Sequence, residues 1–172
     1  MIRIAASQYS LMSKSFEIYL SGCSANPHCE NCHNPELWSF DIGEPYTDEI
    51  KTKFLTKIEQ YDDLIDSIWI LGGEPLDQPI DELEVLFKDL YQANKDIWLF
   101  TRNDIEEVPV NISQYCSYVK CGRHIPSKHE DGYSMFGVDL SSTNQKIYKM
   151  PKFVDDDDVI NDWGNSTVEM PD

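Results

Sequence analysis

Basic residues are scarce in this chain of 172 residues: 14 Lys and Arg stand against 31 Asp and Glu, a formal charge of −17. A field of that sign repels phosphate backbones and anionic bilayers, so nucleic-acid binding and membrane-surface binding are not expected. No apolar run approaches the ~18 residues of a membrane span, and Met1 to Ser10 has no sustained apolar core of the secretory kind. The expected location is the cytoplasm. The length falls short of the ~250 residues of a closed eight-stranded α/β barrel. A content of 41% hydrophobic and 12% aromatic residues nevertheless implies a folded core rather than a disordered chain. Internal repeats are also lacking.

The negative charge is uneven. After Lys152 there is no basic residue, and Asp155 to Asp158, Asp162, Glu169 and Asp172 carry −7 of the total, which leaves −10 on residues 1–153. Such a stretch repels itself and has little to bury. Two parts are therefore expected, a folded domain over 1–153 and an acidic, disordered tail over 154–172. The tail reads either as a solubilising segment or as a docking segment for a basic partner.

Hydrophobic patterning places the elements. Ser15 to Leu20 alternates and is rich in aromatic and β-branched residues, so it reads as a strand. Thr47, Asp48 and Glu49 make an N-cap and acidic first turn for a helix over 48–60, and Pro79 with Asp81 and Glu82 opens a second helix over 79–93. Strands are expected over Ile65 to Leu71, Ile97 to Thr101 and Tyr118 to Cys121, with a last short one in Gln145 to Met150. The alternation implies an α/β fold of parallel βαβ units, in which functional residues collect at the C-terminal strand ends. Cys23, the Gly72 to Pro75 stretch, and Thr101 with Arg102 all follow strands and should meet on one rim.

Five cysteines are an odd number, which in a reducing compartment points to ligands, redox groups or core residues rather than disulfides. Cys23, Cys29 and Cys32 are spaced C-x5-C-x2-C in a loop. Thiolates are soft ligands suited to zinc or iron-sulfur clusters. A closed zinc site needs a fourth ligand, for which His28, His33, Cys116 and Cys121 are candidates. A cluster held by three cysteines would leave one iron open. Gly72-Gly73 at a strand end allows a ligand to approach the backbone closely, and Glu74 could accept from a ligand ammonium. Cys116 and Cys121 read more simply as small apolar residues. Lys120, Arg123, His124 and Lys128 form a basic cluster of open meaning.

The segments SGC (21–23), CENCHNPELW (29–38), LGGEP (71–75), IWLFT (97–101) and SSTNQKIYKM (141–150) together resemble the radical S-adenosylmethionine enzymes. Within these the chain is most similar to the activating enzymes of anaerobic ribonucleotide reductase, the glycyl-radical-enzyme activases. The resemblance implies a partial, laterally open (β/α) barrel of parallel strands. It implies a 4Fe-4S cluster on Cys23, Cys29 and Cys32, and S-adenosylmethionine bound at the open iron beside Gly72, Gly73 and Glu74. Thr101 and Arg102 would reach its carboxylate or ribose, and Asn144 and Gln145 would lie on the rim. No catalytic residue is implied beyond the cluster and this ligand site. The implied partners are a glycyl-radical subunit and an electron donor such as a flavodoxin or ferredoxin. The family's usual C-x3-C-x2-C spacing is lengthened here by two residues within Ser24 to His28. Two alternatives remain: a small-molecule radical enzyme resembling those of deazapurine biosynthesis, and a noncatalytic zinc or iron-sulfur module. An open barrel, which a docked protein could cover, favours a protein substrate.

Overall fold

The computed structural model describes residues 1–152, so the acidic tail expected over 154–172 lies outside the described residues. Strands β1 (Arg3–Ser10) and β2 (Ser15–Leu20) form an antiparallel hairpin, and β3 (Glu44–Pro45) pairs with the outer edge of β1. The chain continues through α1 (Asp48–Gln60), β4 (Ser67–Gly72), α2 (Ile80–Tyr91) and β5 (Asp96–Phe100). A short α3 (Val110–Ser113) precedes β6 (Tyr118–Cys121), and a small hairpin of β7 (Ser134–Met135) and β8 (Val138–Asp139) leads to β9 (Lys146–Lys149).

One seven-stranded sheet results, in the order β3-β1-β2-β4-β5-β6-β9. Its centre, β2 to β4 to β5 to β6, is parallel, and its margins are antiparallel. The sheet is open, with β3 and β9 as separate edges. No helix among the described residues is long and apolar enough to cross a membrane.

The two faces follow from strand alternation. Phe16, Ile18, Leu20, Ile68, Ile70, Ile97, Leu99 and Val119 point to one side, where they meet Ile50, Phe54 and Ile58 of α1 and Leu83, Leu86, Phe87 and Leu90 of α2. That spacing is the helical stripe that orients each helix onto the sheet. Each such side chain contributes about 1.5–3 kcal/mol on burial. Thr47 caps α1 by accepting from the Ile50 amide. The other face carries Trp69, Trp98, Phe100 and Tyr118, partly covered by Tyr133, Met135, Val138 and Leu140 of the β7–β8 region.

The expected strands and helices are present with small differences in their ends. β4 begins at Ser67 rather than Ile65, though Ile65 is still buried as a core anchor. The sequence reading omitted β1, whose Ala, Ser and Gln content gives little strand signal. Its pairing with β2 supplies the missing order, with a register shift between Ile4 and Ala6.

Candidate functional site

Register brings the motifs together. Leu20 at the end of β2 lies beside Gly72 at the end of β4. Beyond that point the two loops join backbone to backbone. The Gly73 amide donates to the Leu20 carbonyl at 3.0 Å and the Glu74 amide to the Gly22 carbonyl at 2.7 Å. Gly22 and Cys23 donate in turn to Leu37 and Trp38 carbonyls at 2.8 and 3.1 Å. Glycine is required for this closeness. A Cβ at Gly73 would strike the Gly22 and Leu37 carbonyls, and Gly72, with φ +138°, would drive one into the Leu20 backbone.

Behind these loops lies a cavity of about 190 Å³ at the C-terminal ends of β4, β5 and β6. Cys23, Cys29 and Cys32 line it from the cysteine loop, and Gly72, Gly73 and Glu74 from the turn after β4. Thr101 and Arg102 line it from the end of β5, and Gln145 from the segment before β9. The expected residues other than Asn144 thus face one space. Asn144 sits beside it, its side-chain amide donating to the Arg123 carbonyl at 2.8 Å.

Glu74 is 1% exposed. One carboxylate oxygen accepts from the Leu76 amide at 3.0 Å and the Thr101 hydroxyl at 2.6 Å. The other accepts from the Arg102 amide at 2.8 Å and pairs with the Arg102 guanidinium at 3.4 Å. Burial pushes this carboxyl up, against the pull of those donors and of the Arg102 charge. Arg102 also grips Asp77 at 3.1 and 3.2 Å, and Asp77 accepts from the Ser24 amide at 2.6 Å. Glu74, Thr101, Arg102 and Asp77 therefore tie the ends of β4 and β5 to the start of the cysteine loop. On the far side of that loop, an Arg123 guanidinium donates to the Pro27 carbonyl. The lengthened Ser24 to His28 stretch is held from two strand ends.

His33, a candidate fourth ligand, is on the wall, and several other wall residues were not assigned to the site from sequence: Asn34, Trp38, Phe100, Lys120, Gly122, His124 and Ser141. Lys120 matters most. Its amine donates to the Gly122 carbonyl at 3.2 Å, and burial pushes its pKa down to about 8, against the opposing effect of Glu74. The signal was available in the sequence. With Val119 and Cys121 turned to the helices, strand alternation forces Lys120 onto the cavity side.

The candidates for a fourth ligand separate cleanly. Cys116 and Cys121 are buried in the helix-side core, where burial raises both thiols, Cys121 to about 12. His28 packs edge-on against Trp38 and its Nδ1 lies 2.8 Å from the Ala25 carbonyl oxygen. His33 faces the cavity, 5.8 Å from His124 between ring centres.

A family model described as a 4Fe-4S single cluster domain matches residues 14–148. The chain is 27% identical over 94 residues to the anaerobic ribonucleoside-triphosphate reductase-activating protein of Salmonella typhimurium, a match covering 53% of this chain and 60% of that protein. It is 26% identical over 141 residues to the protein of the same name from Vibrio cholerae, covering 77% of this chain and 85% of that one. The chain thus spans about three fifths of the length of the Salmonella relative.

Proposed function

The chain belongs to the 4Fe-4S single cluster domain family, and on that premise we propose that it is a radical S-adenosylmethionine activase acting on a glycyl-radical enzyme, an anaerobic ribonucleotide reductase. The open sheet is then a partial, laterally open barrel. One observation carries the reading: three loop cysteines and the Gly72 to Glu74 turn line the same cavity, with a cation, Lys120, on its wall.

The residues fit the implied cofactors. Cys23, Cys29 and Cys32 are soft donors on one wall, and among the described residues no three Cys, His, Asp or Glu side chains are grouped as ligands of a single ion. Three thiols suit a cluster that keeps one iron open better than the closed four-ligand shell of a structural zinc. Held by Cys23, Cys29 and Cys32, a reduced cluster would supply the one-electron chemistry by which S-adenosylmethionine is opened for hydrogen abstraction from a partner glycine.

The chain's own contribution is orientation. The Gly72-Gly73 backbone suits the ligand ammonium, because the Glu74 carboxylate is already engaged by Leu76, Thr101 and Arg102. Lys120 suits the ligand carboxylate, since among the described residues it has no carboxylate partner, whereas Arg102 is committed to Glu74 and Asp77. Trp38, Leu71 and Phe100 give the cavity apolar walls that limit water. A flavodoxin or ferredoxin is the class of protein suited to deliver the electron.

Anaerobic reconstitution with iron and sulfide tests the assignment. The expected result is about four irons and four sulfides per chain, with 5′-deoxyadenosine formed on reduction in the presence of S-adenosylmethionine. Adding the reductase subunit should give a glycine-centred EPR doublet. Stoichiometric zinc without sulfide refutes the cofactor, and cleavage without a glycyl signal refutes the partner. Cys29→Ala is expected to lose both cluster and cleavage.

A further inference from the structure

Glu17 is a buried carboxylate with no cation beside it among the described residues. It is 7% exposed, on the same face of the sheet as the cavity walls. One of its oxygens accepts from both the Gln8 amide at 2.7 Å and the Tyr19 hydroxyl at 2.8 Å. The second oxygen has no partner among the described residues. The other fully buried carboxylate among the described residues, Glu74, faces Arg102. Burying a carboxylate without a cation is costly, and its neighbours here supply only neutral donors.

The surroundings form a strip that leads to the site. Glu17 pairs in register with Trp69, Trp69 with Trp98, and Tyr19 with the cavity residue Leu71. Trp69 and Phe100 meet at 4.8 Å between ring centres, and Phe100 also lines the cavity. The β7–β8 region covers Trp98 and Tyr118 on one side of the strip, while Tyr19, Trp69 and Phe100 are only partly buried. The result is an aromatic floor with a carboxylate at its edge.

We propose that this strip receives an extended segment of the partner protein, and that Glu17 takes a Lys or Arg side chain of that segment. The inference rests on the activase reading and names how the substrate is recognised. Charge selects the occupant. A second copy brings a net charge of −17, and residues 153–172 of this chain contain no basic residue, so neither offers a matching surface. From Glu17 to Phe100 is two strands across and two residues along, about 12 Å. That is three to four residues of extended chain, which sets how far the cation stands from the glycine at the cavity. A flat aromatic floor suits an extended backbone, and the paired charge fixes its register.

The test uses the full chain, reconstituted anaerobically, and three synthetic nonapeptides with a central glycine. One carries lysine three residues before the glycine, one three residues after it, and the third has methionine at both positions. Binding is read from the tryptophan fluorescence of the floor. The protein is expected to bind one lysine peptide at least tenfold more tightly than the methionine peptide. Glu17→Gln is expected to remove that preference while still binding the methionine peptide, and Glu17→Lys to prefer a peptide with aspartate at the lysine position. Equal affinities, no binding of any peptide, or a preference that survives in Glu17→Gln overturns the proposal. A fluorescence change on dilution alone puts a second copy on the strip and also overturns it. Formation of 5′-deoxyadenosine by the same preparation without peptide separates the two ideas. Its absence refutes the activase reading, and its presence with no lysine preference refutes this inference alone.

Discussion

Replacing Glu74 with Gln keeps the volume of the side chain and removes one acceptor oxygen and the charge. The remaining oxygen can serve the Leu76 amide and Thr101 hydroxyl, as one carboxylate oxygen does now. The new amide nitrogen then points at the Arg102 amide and guanidinium, which are donors at 2.8 and 3.4 Å in the native arrangement. Donors then face donors at a side chain that is almost fully buried. Removing one member of a buried charge pair costs about 3–5 kcal/mol. Asp77 still holds Arg102, which argues for the lower end of that range. For a chain of this length about 1 kcal/mol moves Tm by ~2–4 °C, so at about 3 kcal/mol Glu74→Gln is expected to lower the Tm of the cluster-free protein by roughly 6–12 °C. Far-UV circular dichroism melts give the number. Thr101→Val in the same series removes one donor to the same carboxylate, and the double variant should be less destabilised than the sum of the two singles. A Tm change below about 2 °C for Glu74→Gln, or full additivity, would refute the claim that this carboxylate ties the strand ends together.

Gly73→Ala is expected to separate the two motif loops, because the atoms its Cβ meets are backbone carbonyls that cannot turn aside. A loss of about 2–4 kcal/mol from overpacking and broken hydrogen bonds, together with poor iron incorporation, would appear in urea titration and iron analysis. Wild-type stability and iron content would contradict the close approach. Lys120 has a folded pKa lowered to about 8 by burial, so between about pH 8 and its ordinary value near 10.5 the unfolded chain binds more protons and stability rises with pH. At ~1.4 kcal/mol per pKa unit, the cluster-free native protein should gain up to about 3 kcal/mol over that window relative to Lys120→Met; parallel curves in urea titrations across pH would rule the burial out. Cys121→Ala removes a core thiol on the helix side of the sheet, so it is expected to lower stability by about 1 kcal/mol and leave iron content unchanged. Loss of iron in that variant would make Cys121 a ligand.

What the sequence made legible depended on how local the signal was. α1 announces itself within a dozen residues, through Thr47, the acidic first turn and the Ile50, Phe54, Ile58 stripe. Strands β2 and β6 are found with the bounds expected of them, because buried parallel strands are dense in apolar residues. β1 has no such density, and it is held in the sheet by pairing with β2 and β3, which lie elsewhere in the sequence pattern. The tiny β7–β8 hairpin is invisible for a related reason: two-residue strands carry no periodicity, and theirs is stabilised by Met135 and Val138 resting on the aromatic face.

The site divides in the same way. Cys23, Cys29 and Cys32 are neighbours in sequence, and soft ligands at close spacing advertise a metal whatever surrounds them. His124 and Ser141 reach the cavity only because the chain after β6 folds back over the strand ends. No local pattern reports that. Arg102 shows the subtler limit. Its position after β5 and its presence on the cavity wall were both expected, and a cation there suggested contact with the anionic end of a ligand. In the structure its guanidinium bridges Glu74 and Asp77, and Asp77 reaches on to the Ser24 amide at the entry of the cysteine loop. A residue type at a rim position identifies the rim, but two carboxylates brought close by the tertiary fold determine what the charge does. Lys120, one strand over on the same wall, has no carboxylate partner among the described residues.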